Sequence, residues 1–372
     1  MDDLKDLLRK KSEEMRLSPE IPPPVLRRAR RRRVATGALA GALTLAIGLG
    51  TMVGLRAALK QSAHVPANPS PTPPSVASPT PGSRQGLPKT FVALKRGSED
   101  PAGSLILVRT SSGKVQRVVV DFVDLSEGFG DLTLSTDGST LYYTQGTSAC
   151  ESQVRRVGVR GGRPKPVADG SRPTPSPDGK LLAYTSEVPV GCPNLSQQLV
   201  VRDLASGTET RWGLGYQPGI GAYGLCSLAW LPDSRQLAFN ECGEGGETLR
   251  LLDVEADKGI SLKDARLLGD PEKVSLRLIG FQTDPSGIAV IKSCTGRQAG
   301  PCPPRQVVRV DPGTGEISEP LLDVPDGVTD MRLDGSGRYF LWVTEDQQVF
   351  GWDSGEFGEP IEIARGYSQA TW

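Results

Sequence analysis

From Leu132 to the C-terminus the chain alternates short apolar runs with turns, and one phrase returns five times: an apolar strand, an Asp-centred turn, a second apolar strand. The copies run from Leu132 to Tyr143, Pro175 to Tyr184, Leu228 to Phe239, Gly280 to Val290 and Met331 to Leu341, around Asp137, Asp178, Asp233, Asp284 and Asp334. These aspartates lie 41, 55, 51 and 50 residues apart, the spacing of a four-stranded sheet repeated around an axis. Asp-Gly between apolar runs favours a tight hairpin, because Gly takes positive φ and the Asp carboxylate binds backbone amides two residues on. The five aspartates are therefore read as turn formers. After the hairpin at Asp178 comes an alternating strand from Gln198 to Leu204, a turn at Ala205 to Gly207 and a fourth strand near Thr208 to Trp212. One unit thus holds four strands in meander order.

The ends of this region predict closure. Phe91 to Leu94, Ser104 to Arg109 and Val115 to Val120 match the second, third and fourth strands of a unit that lacks its first. Gln369 to Trp372 reads like an innermost strand, comparable to Ser227 to Trp230. Joining the two ends makes an all-β fold, a six-bladed β-propeller of four-stranded antiparallel sheets over residues 89–372, and removes an exposed sheet edge.

The sharpest copy, Ser-Pro-Asp-Gly-Lys-Leu-Leu-Ala-Tyr at Ser176 to Tyr184, resembles the signature of the TolB-type, WD-repeat-like propellers. The resemblance covers about residues 90 to 372, and it implies six blades and an extracytoplasmic setting while saying almost nothing about activity. The chain departs from TolB itself, which has a separate α/β domain where this sequence has an apolar segment and a Pro-rich stretch.

That apolar segment, Val34 to Leu55, is uncharged over 22 residues and follows seven positions, Arg27 to Arg33, of which six are arginine. At about 1.5 Å per residue it is long enough to cross a hydrocarbon core, and the arginines hold the N-terminus in the cytoplasm. Residues 1–33 are read as a cytoplasmic basic tail, 34–56 as a single transmembrane helix and 57–88 as a disordered Pro/Ser/Thr-rich stalk of extended character. Gly37 with Gly41 and Gly50 with Gly54 are small-residue pairs that let two such helices approach. Within the tail, Leu4, Leu7, Leu8 and Met15 fall near one face of a short helix, so residues 1–17 are a candidate for a cytoplasmic partner. The plan of tail, arginine run, span and extracytoplasmic domain is similar to that of transmembrane anti-sigma factors of actinobacteria, without the His-x₃-Cys-x₂-Cys motif many of them carry.

The whole chain is neutral, with 43 basic and 43 acidic residues, yet residues 1–33 hold eleven Lys or Arg against six Asp or Glu. The remainder is acidic, which gives nucleic-acid binding no support. All six cysteines lie beyond the apolar segment, a distribution expected of disulfides on the exported side. A turn centred on Asp233-Ser234 sets Cys226 opposite Cys242. Cys294 and Cys302 bracket one loop, and Cys150 with Cys192 can staple two neighbouring blades. Loops after the second and fourth strands emerge on one face, so all three bridges decorate that face.

The lone histidine, His64, lies in the stalk. A Ser-His-Asp or Cys-His site on the propeller and a histidine-ligated metal centre are thereby excluded, and neither a phosphate-binding loop nor a calcium loop is present. No cofactor or metal is expected. Glu151, Glu187, Glu241, Glu244 and Glu247 fall in or near the same-face loops and form the candidate ligand-binding face. The expected function is non-enzymatic: a membrane-anchored binding or scaffolding module for an extracytoplasmic protein, peptide or envelope glycan. Its alternatives are an anti-sigma-type regulator and a carboxylate-dependent hydrolase or lyase acting in the funnel.

Overall fold

The computed structural model describes residues 86–96, 102–125, 129–148, 151–188, 196–214, 224–243, 246–283, 286–295, 302–355 and 358–372. The expected tail and span, and the expected stalk up to residue 85, lie outside the described residues, as do Cys150, Cys192, Glu244 and Asp284. Among the described residues no helix is long and apolar enough to cross a membrane.

Among the described residues, twenty-four strands form six four-stranded sheets. Five of them are consecutive antiparallel meanders, and the sixth is made from both ends of the domain. In that first blade Gln369–Thr371 pairs with Thr90–Arg96 through Val92 with Thr371, Ala93 with Ala370 and Leu94 with Gln369. Trp372 and Tyr367 pack edge-on to Phe91 with ring centroids 6.1 and 6.2 Å away, so the last residues are anchored by side chains as well as by the ladder. The closure expected from the chain ends is the one observed.

The second strand of each blade explains the apolar runs. Phe91 to Leu94, Leu141 to Gln145, Leu182 to Ser186, Leu237 to Asn240, Ile288 to Ile291 and Phe340 to Val343 are all buried, because a neighbouring sheet covers each of their two faces. A strand buried on both faces reads as a continuous hydrophobic run rather than an alternation. Among the described residues the core falls into six clusters, each filling one interface between blades; the cluster between the second and third blades gathers Tyr142, Val154, Leu182, Tyr184 and Val200.

The hairpins between first and second strands turn on aspartate. Asp178 Oδ1 accepts from Lys180 N at 3.1 Å and Ser176 Oγ at 2.7 Å. Asp233 Oδ1 accepts from the amides of Arg235 and Gln236 at 2.9 Å, with Ser234 at φ 55°. Asp137 and Asp334 are bound in the same manner to Ser139 N and Ser336 N. These turns project from the face opposite the disulfides.

Candidate functional site

The innermost strands, Gln369–Thr371, Phe129–Leu134, Ser171–Pro175, Gly224–Trp230, Ser275–Thr283 and Val328–Leu333, touch one another in a closed ring around a central channel. Where the channel opens on the face of the longer loops, residues from all six blades line a chamber of about 470 Å³. A second, smaller chamber of about 190 Å³ lies toward the aspartate turns and is walled by Leu134, Trp230, Phe281, Leu333 and Trp372.

Bulges shape the mouth. In five inner strands the pairing slips, between Gly130 and Thr133, Ser171 and Thr174, Leu225 and Ser227, Leu278 and Gly280, and Val328 and Asp330. The residues displaced there include Asp131, Arg172, Cys226, Ile279 and Thr329, and every one of these lines the upper chamber. An extra residue in one strand bends it and re-aims a side chain. Two of the displaced residues are left-handed, Asp131 at φ 46° and Arg172 at φ 56°. Aspartate tolerates that region; arginine before a proline does so poorly on both counts. Arg172 is held there by its neighbours: its amide donates to Thr144 Oγ1 at 3.1 Å, and its Nε donates to the Cys226 carbonyl at 3.1 Å. Gly170, at φ 145°, immediately precedes this strand, where a Cβ would come within 2.2 Å of the Thr185 carbonyl oxygen. Local strain at a cavity wall, over-determined by its surroundings, is a mark of functional sites.

The charges of the mouth are unevenly distributed. On the sixth blade Arg332 Nε lies 3.1 Å from both oxygens of Asp330, and its Nη2 lies 3.7 Å from Asp131 on the second. Asp330 is the main reason the Arg332 guanidinium stays above its ordinary range despite burial. On the opposite side Arg172 and Arg277 have only neutral partners within ion-pair range among the described residues: Cys226 and Ser171 for the first, the Thr329 carbonyl at 3.5 Å for the second.

Cys226 is itself a displaced residue. The ladder pairs Gly224 with Cys242 and Ser227 with Asn240, leaving Cys226 between them, and it forms its disulfide with Cys242 across 6.0 Å of Cα separation. The turn centre expected from the sequence holds up to Ser227; past the bulge the register changes by one. Glu247, paired with Cys242, lies beside this disulfide. Its two neighbours' sulfurs and its carboxylate come within 4.8 Å of one another, but the sulfurs are joined and offer no thiolates. Burial raises the Glu247 carboxyl above its ordinary range, opposed by the charge of Arg277, and its Oε2 has no hydrogen-bond partner. Cys294 and Cys302 form the other described bridge, with Cα atoms 5.7 Å apart.

The acidic residues expected to make the ligand face do not come together. Glu151 is exposed beside Ser148 and borders a groove of about 720 Å³ between the second and third blades. Glu241 is ion-paired to Arg250 at 2.9 Å and points to the opposite side of its strand from Cys242 and Glu247. Of Glu187 only the backbone is described, and Glu244 lies outside the described residues. In the groove, Glu209 accepts from Tyr184 at 2.7 Å, Arg202 at 2.8 Å and Arg211 at 2.6 Å. Burial works to raise its carboxyl, yet these three donors lower it on balance. The channel residues Asp131, Arg172, Arg277, Asp330 and Arg332 were not singled out by the sequence reading. The signal was available: Asp131, Arg172 and Arg277 stand six or seven positions ahead of the turn aspartates Asp137, Asp178 and Asp284, so the repeat itself stacks them at one level.

No family model matches the chain, and no curated protein matches it in sequence. Among solved structures it is similar to TolB from Acinetobacter baumannii, with a TM-score of 0.53 and 15% identity over 74% of this chain. The described domain is a six-bladed β-propeller, similar in fold to that of TolB. The chain spans 65% of the length of that TolB. A putative TolB from Agrobacterium tumefaciens is similar at a TM-score of 0.42 and 19% identity, over 64% of this chain and 82% of that one. An oligogalacturonate lyase in complex with manganese is similar at a TM-score of 0.44 and 16% identity, over 71% and 73%. At 15% identity the likeness to the Acinetobacter TolB shows the fold alone.

Proposed function

We propose that the protein is a non-enzymatic binding module, anchored in the membrane through residues 34–56, that recognises an extracytoplasmic partner at the mouth of its propeller channel. The observation that carries this reading is that the bulges of five inner strands all turn displaced residues into one chamber, at the cost of left-handed backbone at Asp131 and Arg172. Packing between blades does not require such bulges; a shaped, polar cavity does. Binding is favoured over carboxylate-dependent hydrolysis because Asp131 and Asp330, the acidic groups of the described mouth, are both engaged by Arg332. The anchoring rests on the uncharged stretch and the arginines ahead of it.

Replacing Ser227, which lines the chamber, by tryptophan plugs the mouth while leaving the blade interfaces alone. Full-length protein carrying Ser227→Trp should lose the partner that wild type captures by crosslinking in intact cells, with an unchanged thermal transition. Undiminished capture by the plugged protein contradicts the proposal.

A further inference from the structure

Resting on the channel reading, we infer that Arg172 and Arg277 make the mouth selective for an acidic peptide segment, whose carboxylates they receive. Both guanidiniums line the chamber, from the third and fifth blades, and flank the disulfide-held bulge of the fourth. Their hydrogen-bond partners are hydroxyl and carbonyl oxygens, and the one carboxyl that feels the Arg277 charge, Glu247, forms no ion pair with it among the described residues, so neither guanidinium is neutralised by direct carboxylate contact. A guanidinium in that setting gains most from a carboxylate, which it can bind through two parallel N–H donors. The third arginine differs: Arg332 is already neutralised by Asp330 and Asp131.

Two further observations favour a peptide as the carrier of those carboxylates. Each innermost strand is the terminal strand of its sheet, so its channel-side N–H and C=O groups are left unpaired by the sheets. An extended backbone is the natural complement of such an edge. Ser368 and Gln369, from the segment that closes the first blade, add polar side chains to the chamber lining. A sugar is disfavoured because no described residue of the chamber wall is aromatic, which leaves a saccharide ring no flat apolar surface to lie on.

The test is selection of random peptides by the immobilised full-length protein, followed by sequencing. Recovered peptides should be enriched in Asp and Glu, and a selected peptide should bind roughly tenfold more tightly than its Asn/Gln counterpart in fluorescence anisotropy. Arg172→Gln and Arg277→Gln should each shrink that preference, and Arg277→Lys should restore part of it. Near-ultraviolet circular dichroism keeps a folding defect separate from a binding defect. Failure to recover any peptide, equal binding of acid and amide forms, or displacement of the peptide by an oligouronate at lower concentration overturns the inference. If Ser227→Trp abolishes cellular capture while acid and amide peptides bind alike, the selectivity falls and the channel reading stands. If the plug leaves capture unchanged, the channel reading falls with it.

Discussion

Glu247 shows how one side chain records the chemistry of the mouth. Burial raises its carboxyl pKa, against the pull of Arg277, so the folded chain keeps this proton at pH values where the unfolded chain has released it. Its contribution to stability is therefore greatest below the ordinary value of 4.5 and declines as pH rises through the higher folded value. Glu247→Gln should raise the melting temperature at neutral pH and lose that advantage below pH 4.5, as read by calorimetry across a pH series. A difference independent of pH contradicts this account. The turn aspartates behave in the opposite sense. Hydrogen bonds from Ser135 and Ser176 are the leading causes holding Asp137 and Asp178 below the ordinary 3.8, so their stabilisation is present above that value and fades as pH falls through the lowered one. These aspartates were legible in the sequence because an Asp-Gly turn works locally. The orientation of Glu241 was not, since its loop address does not reveal that its strand turns it toward Arg250.

At the scale of the element, bulge and disulfide act together. Cys226–Cys242 closes a loop of sequence separation 16 and Cys294–Cys302 one of 8, for which chain entropy gives about 3 and about 2.5 kcal/mol. Replacing either pair by alanine should lower stability by amounts of that order in urea titrations. The pairs should separate in function. Removing the first frees the strand whose Cys226 carbonyl holds Arg172 and should weaken partner capture, whereas removing the second should leave capture unchanged. Equal effects on capture contradict the coupling. The pairing of Cys226 with Cys242 followed from the turn centre at Asp233-Ser234, but the bulge that makes it diagonal did not. One extra residue changes the register without altering composition or alternation enough to be noticed. Arg172 and Arg277 become recognisable as neighbours only once the strands are curved around an axis, because they lie in different blades. The apolar cluster around Tyr142 and Leu182 lies between the second and third blades, where the pairing of Cys150 with Cys192 is proposed from sequence; non-reducing peptide mapping should recover that bridge.

Across the whole molecule the decisive feature is closure. The six blades, their meander order and the partnership of the two chain ends were legible because five copies of one phrase leave one unit short of a strand and one strand without a unit. Deleting residues 369–372 should uncover the edge of Thr90–Arg96, lower the melting temperature and promote concentration-dependent association; a monomer of unchanged stability contradicts the closure. What the repeat does not announce is that its inner strands converge on a single charged mouth, because that depends on all six blades at once. Photo-crosslinking amino acids placed one at a time in the full-length protein, in intact cells, test this most directly. Positions Ser227 and Thr329 line the channel mouth, and Val115 and Leu267 are exposed by 47% and 42% on outer strands. The account predicts that partner adducts form from Ser227 and Thr329, and that those from Thr329 vanish when Ser227→Trp plugs the mouth. Adducts arising chiefly from Val115 or Leu267 would place recognition on the outer surface and contradict it.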